Sequence, residues 1–207
     1  MSKPAASVVE LSPSAEGRAA DVLTRAFADD PFYSFLFPEE QRRLRFTRNL
    51  WRALIHTCRI LGKVYATAGL EGVACWAAPG RDDLTFARAL RTGFALPISF
   101  LRAPEKPRRL LFRAVEILDG ERRRLMTGRF WYLQALGVEP GRQGQGIGSR
   151  LLAPILAVAD AEKSACYLET VKEDNLAFYA KHGFQVLSHL EFPGTPIELW
   201  TMRRGPA

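Results

Sequence analysis

Residues 130–161 read FWYLQALGVEPGRQGQGIGSRLLAPILAVADA, and this stretch decides the fold. Its first nine residues, rich in aromatic and branched side chains, predict a strand over 130–138. Its last fifteen predict a helix over 147–161. Leu151, Leu152, Ile155, Leu156 and Val158 hold the helical period even though Pro154 removes one hydrogen bond and is expected to kink the axis. A glycine-rich turn lies between them. The helix that begins there points unpaired N–H groups and the positive end of its dipole back at the turn. Strand, turn and helix start together predict an anion site suited to phosphate or pyrophosphate.

Two familiar phosphate-binding patterns fit the turn badly. A P-loop ends in Gly-Lys-Ser/Thr, whereas this run ends Gly148-Ser149-Arg150. A dinucleotide fingerprint would use Gly144 and Gly146 and place an acid where Glu169 stands, but Ser149 fills its last position. That fingerprint also opens a long α/β array, and too little chain follows here.

Outward from the turn, the patterning predicts a strand over 165–170, a short helix over 175–182 closed by Gly183, and strands over 184–190 and 197–202 about a Pro-Gly-Thr-Pro turn. Upstream it predicts a strand over 7–11, a helix ended by Asp29-Asp30-Pro31, and an amphipathic helix after Pro38 carrying Leu50, Trp51, Leu54, Ile55 and Cys58 on one face. A hairpin is expected over 63–68 and 73–78. Helices are expected over 83–96 and 108–118, separated by Pro97, Pro104 and Pro107.

The run Gln143-Gly144-Gln145-Gly146-Ile147-Gly148 has the form Gln-x-x-Gly-x-Gly, and YLET (167–170) followed by NLAFYAKHGF (175–184) stands downstream of it. Together these resemble the acyl-CoA-binding loop and the signature helix-turn-strand of the GNAT superfamily of N-acyltransferases. Further segments (AFADDP, the GKVY…GVACWAAPG hairpin, WYL and the final LWTM) resemble puromycin N-acetyltransferase and its relatives. The poorly matching middle, 82–128, gives no licence to name puromycin as substrate. The resemblance implies an α+β fold with a central, mostly antiparallel, splayed sheet of about six to seven strands flanked by helices. It implies one domain over 1–207 with an acyl-CoA core at about 129–190, and acetyl-CoA as co-substrate without a metal.

By the same resemblance the pyrophosphate sits on backbone amides of Gln143, Gly144, Gln145, Gly146, Ile147, Gly148 and Ser149. The pantetheine arm pairs with Leu136, Gly137 and Val138 on a bulged, splaying strand, and Asn175 contacts that arm. Gly137 suits such an irregular strand. Tyr179 matches the tyrosine that hydrogen-bonds the CoA sulfur and returns a proton to the thiolate; a phenol with a reference pKa of about 10 stays protonated for that task. Asn175 also reads as a helix N-cap. Glu169, at the end of its strand, is the candidate general base. His56 and His182 are weaker candidates, and Phe130 stands where many relatives carry a histidine.

The expected reaction is transfer of an acetyl group to a primary amine of a small molecule. The alternatives are a non-catalytic acyl-CoA-binding module and an acetyltransferase acting on a protein or RNA-associated target. Phe32, Tyr33, Phe35, Phe37 and Trp76 read either as core or as an apolar acceptor pocket. The net charge of +7 suits a polyanionic ligand. The arginine-rich segment 102–129 reads as a solvated face, and no nucleic-acid-binding signature accompanies it, so a nucleic-acid partner is not expected. Cys58, Cys75 and Cys166 have no metal or disulfide spacing and read as buried free thiols of a cytoplasmic protein. No apolar run is long enough to span a membrane. Monomer and homodimer remain equally open.

Overall fold

The computed structural model describes residues 7–81, 86–93 and 95–206. Strands β1 (Val8–Glu10), β2 (Gly62–Thr67), β3 (Gly72–Ala77), β4 (Phe130–Val138), β5 (Ala165–Thr170), β6 (Gln185–Glu191) and β7 (Glu198–Arg204) form one seven-stranded sheet. Its order is β1-β2-β3-β4-β5-β7-β6. All neighbours pair antiparallel except β4 and β5, which run parallel. The mixed fold and mostly antiparallel sheet are as the family resemblance implies. Among the described residues the helices are α1 (Glu16–Ala26), α2 (Pro31–Leu36), α3 (Glu40–Leu61), α4 (Phe86–Arg91), α5 (Ala95–Leu101), α6 (Glu105–Leu125), α7 (Ile147–Ala161) and α8 (Asp174–Ala180).

Strand alternation builds two cores, one on each face of the sheet. Val64, Val73 and Cys75 pack with Val22 and Leu23 of α1 and Trp51, Ile55 and Cys58 of α3. Ala74, Trp76, Cys166 and Leu168 pack with Ile147, Leu151, Leu152 and Ile155 of α7. β4 serves both cores through a bulge. Cys75 pairs with Ala135 and Trp76 with Leu133, so Gln134 is an extra residue. Trp131 and Leu133 therefore face α7, whereas Ala135 faces α1 and α3, and Leu136 and Val138 return to the α7 side.

β4 and β5 pair only from Phe130↔Ala165 to Leu133↔Leu168. Beyond that point β5 continues against β7, through Glu169↔Thr201 and Thr170↔Trp200, and β4 continues against β3. The two strands part where the bulge bends β4. The sheet is thus forked, as a splayed strand pair requires. Gly137, however, is not the irregular residue. It keeps register with Val73, and a Cβ there would meet Leu23 Cδ2 at 2.7 Å and Ala26 Cβ at 2.9 Å. Its missing side chain lets α1 lie directly on the strand.

Several helices differ from the sequence expectation. Asp29-Asp30-Pro31 ends α1 but also starts α2: Asp30 accepts from the N–H groups of Phe32 (3.0 Å) and Tyr33 (3.3 Å), and Pro31 takes the first helical position. The helix expected over 83–96 is instead α4 and α5, parted around Gly93 at φ +61°; 82–85 and 94 lie outside the described residues. Pro97 and Pro107 fall in the first turns of α5 and α6, where no intrahelical N–H bond is lost. α6 runs on to Leu125, past the expected end at 118, supported by ion pairs Arg122–Asp119 and Arg124–Glu121 one turn apart.

Candidate active site

The fork opens on a cavity of about 810 Å³ that reaches both faces of the sheet. On the α7 face it is lined by the glycine turn, Asn175, Phe178, Tyr179 and His182. On the α1 and α3 face it is lined by Phe27, Tyr33 and Trp51, with Gln134–Val138 and Glu169 between. Of the sequence-predicted residues, Leu136, Gly137, Val138, Gln143, Gly144, Gly146, Ile147, Gly148, Ser149, Glu169, Asn175 and Tyr179 all line this cavity. Gln145 does not line it; its carbonyl accepts from Arg150 Nη1 at 3.2 Å.

The turn is built from backbone. Gly144 (φ +73°) and Gly146 (φ +72°) occupy the left-handed region, and Gly146 is the N-cap of α7 with no side-chain cap. The first amides of a fifteen-residue helix thus have no capping side chain at the cavity. Gln143 Nε2 donates to the Val138 carbonyl at 3.3 Å and ties the turn to β4. Gly148 has a different reason to be glycine: a Cβ there would stand 3.0 Å from Phe178 Cζ, so the site brings α7 against α8. The Ser149 hydroxyl and His182 Nε2 lie 3.0 Å apart, across the same junction. Burial and the Arg204 charge hold the His182 imidazole below its ordinary pKa.

Glu169 shares the strand parity of Tyr167 and therefore points away from α7, whereas Tyr179 packs in the α7 core. The two candidate catalytic groups border the fork from opposite faces. Burial pushes the Glu169 carboxyl up to about 7; the Tyr132 hydroxyl, the Arg122 charge and the Tyr167 hydroxyl offset part of that effect. Glu169 Oε1 and the Tyr167 hydroxyl are both buried atoms. Burial raises the Tyr179 phenol, so it stays protonated.

Asn175 lies in the first turn of α8, not at its N-cap, which is Glu173. Its side-chain Nδ2 donates instead to Thr170 Oγ1 at 3.0 Å and joins α8 to the end of β5. His56 does not line the cavity and sits 3.4 Å from Glu16. Trp76 is fully buried in the α7 core and lines nothing, and Phe37 is buried with Phe46; Phe32 and Tyr33 do line the cavity. The three cysteines are free and buried, as expected, and burial pushes the Cys166 thiol up to about 12. Among the described residues no cluster could hold a metal ion, and no helix is long and apolar enough to cross a membrane.

Sequence reasoning missed Arg122. Arg123 and Arg124 are exposed, but the Arg122 side chain is 4% exposed. It pairs with Asp119 and lies over the Tyr132 ring at 5.0 Å. Burial alone would lower its pKa, but Tyr132, Asp119 and Glu169 outweigh that and raise it. A signal was present: Leu111, Ala114, Leu118 and Arg122 continue one helical stripe.

Residues 112–186 match a family model described as the acetyltransferase (GNAT) domain. An uncharacterized N-acetyltransferase of Schizosaccharomyces pombe is 27% identical over 172 residues, 81% of this chain and 69% of that protein. An acetyltransferase of Agrobacterium fabrum is 38% identical over 68 residues, 31% of this chain and about half (48%) of its own length. Among solved structures, a histone acetyltransferase HPA2 and related acetyltransferase from Corynebacterium glutamicum superposes with a TM-score of 0.67 at 22% identity, covering 98% of this chain and 97% of that one. Arylalkylamine N-acetyltransferase 2 from Aedes aegypti gives 0.63 at 12% identity, over 97% and 99% of the two chains. At these identities the superpositions show a shared fold.

Proposed function

The chain belongs to the GNAT superfamily of acetyltransferases, and from that premise we propose that it moves an acetyl group from acetyl-CoA to the primary amine of a small molecule. The observation that carries this reading is the position of the cavity. It runs through the fork and has an uncapped helix start and a phenol on one face and a half-buried carboxylate on the other. The cradle suits the co-substrate: left-handed Gly144 and Gly146 and the amides that open α7 match a diphosphate. The unladdered β5-facing edge of Gln134–Val138 suits an amide-bearing arm. We take residues 129–190 as the acyl-CoA core of one domain.

When bound, acetyl-CoA supplies an activated acyl carbon and a thiol leaving group. Glu169 takes the proton from the incoming ammonium, which leaves the nitrogen lone pair free to attack. Its carboxyl, held near 7, is poised for that exchange at neutral pH. A backbone N–H of residues 136–138 stabilises the developing oxyanion. Tyr179, still a phenol, donates its proton to the departing sulfur. Having the base on one face and the acid on the other keeps the two protons apart. Asn175 and Thr170 brace the end of β5 beside Glu169.

A panel of primary amines with acetyl-CoA, read by thiol release, tests the reaction. Coenzyme A at about 100 times its Kd is expected to stabilise the fold by about 2.7 kcal/mol. Absence of any thermal shift with coenzyme A overturns the cradle, and thiol release that no amine accelerates overturns the transfer.

A further inference from the structure

On the α1 and α3 face of the fork, aromatic rings form a continuous arc. Phe27 meets Trp51 at 4.7 Å between ring centroids, Trp51 meets Tyr33 edge-on at 5.5 Å, Tyr33 meets Phe32 at 5.6 Å, and Phe32 meets Phe192 at 5.6 Å. All five line the cavity. Phe27, Phe32 and Tyr33 are only half-buried. They come from the C-cap of α1, from α2 and α3, and from the segment after β6, which no single packing requirement of the sheet brings together. The Phe32–Phe192 contact closes the lobe between α2 and the last hairpin, and Leu118 of α6 lines it too.

The charge on this face is sparse. The acids that line the cavity are Glu169, Asp30 and, at the start of α8, Asp174; Asp30 already spends Oδ1 on capping α2 and feels the charge of Lys172. Such a lobe matches one ammonium group attached to a flat apolar body. It offers little to a chain of several positive charges.

We propose that the amine acceptor carries an aromatic body, which stacks in the arc of Phe27, Phe32, Tyr33, Trp51 and Phe192 while its amino group reaches Glu169. The proposal rests on the transfer reading above and names its substrate class. The protons balance: the ammonium gives one proton to Glu169, which passes it to solvent; a C–N bond forms and the C–S bond breaks; the sulfur takes the proton of Tyr179; and the second nitrogen proton, released as the amide forms, returns through solvent to the tyrosinate, so the products are the amide, the free thiol and one proton.

Three probes decide it: phenethylamine, spermidine and a lysine-containing peptide, each with acetyl-CoA. The expected kcat/KM for phenethylamine exceeds that of the other two by roughly 10- to 100-fold, the worth of burying one ring. Phe32→Ala and, as a milder change, Phe192→Leu are expected to raise the KM for phenethylamine several-fold while leaving the KM for acetyl-CoA unchanged. Binding is also read without turnover: phenethylamine is expected to alter tryptophan emission, and Trp51→Phe to abolish that response. Spermidine or peptide turnover equal to that of phenethylamine overturns the proposal, as does an emission response that survives Trp51→Phe. If phenethylamine binds through Trp51 but no amine is acetylated, the transfer reading fails and the aromatic lobe stands.

Discussion

The two sides of the fork are built by opposite strategies. On the α7 side the turn at residues 143–149 offers the cavity main-chain amides with no capping side chain, beside Asn175, Phe178 and Tyr179 of α8. The α1 and α3 side is assembled from side chains of α1, α2, α3, α6 and the last hairpin. A site made of backbone depends on dihedral angles that few residues permit. A site made of side chains depends on packing, so it can change its ligand by exchanging residues one at a time. The difference teaches where this chain is constrained and where it is free to specialise.

Breaking the chemistry while sparing both walls has the largest expected effect. Glu169→Gln is expected to lower kcat by about 100-fold or more with little change in the KM for acetyl-CoA. In the unaltered protein the carboxylate must be ionised to accept a proton, so kcat should rise with pH through about 7 and level off above it. A profile that is flat from pH 6 to 8 would remove Glu169 from the mechanism. Tyr179→Phe keeps the ring in the α7 core but removes the proton donor. It should slow kcat by roughly 10- to 100-fold and leave coenzyme A affinity nearly intact. Unchanged kcat would make Tyr179 a packing residue.

A smaller effect, confined to the backbone-built side, is expected from Gly146→Val. A β-branched residue at φ +72° is strained and should weaken coenzyme A binding about tenfold, seen in the coenzyme-induced thermal shift, without altering the emission response to an aromatic amine. Loss of both responses together would show that the two sides are not separable. The subtlest change is Arg122→Met. The Arg122 charge holds the Glu169 carboxyl down, so its removal should move the midpoint of the kcat profile above 7; a midpoint that stays put would make Arg122 a packing residue only.

Legibility followed the same division. The glycine turn, α7 and β5 were readable because hydrophobic period, glycine and strand propensity act over a few neighbouring residues. Glu169 and Tyr179 came with their motif. The aromatic arc was not readable as such, since whether Phe32, Phe37 or Trp76 faces a cavity or a core depends on elements far apart in sequence; Phe32 lines the lobe, and Phe37 and Trp76 do not. The start of α2 hid in a motif that also ends α1. Gly137 looked like a source of irregularity and proved to be a landing place for α1. Arg122 hid among two solvated arginines.

Gln134 has one more consequence. With it set aside, Leu133 and Ala135 already fall on alternate faces, and Leu136, Gly137 and Val138 continue in step opposite β3. A chain lacking this one amino acid would still direct every flanking side chain to its present core, but along a straight strand. Packing alone never asked for the additional residue. Shortening β4 by that single unit therefore separates what the molecule needs to fold from what it needs to open a gap in its own sheet.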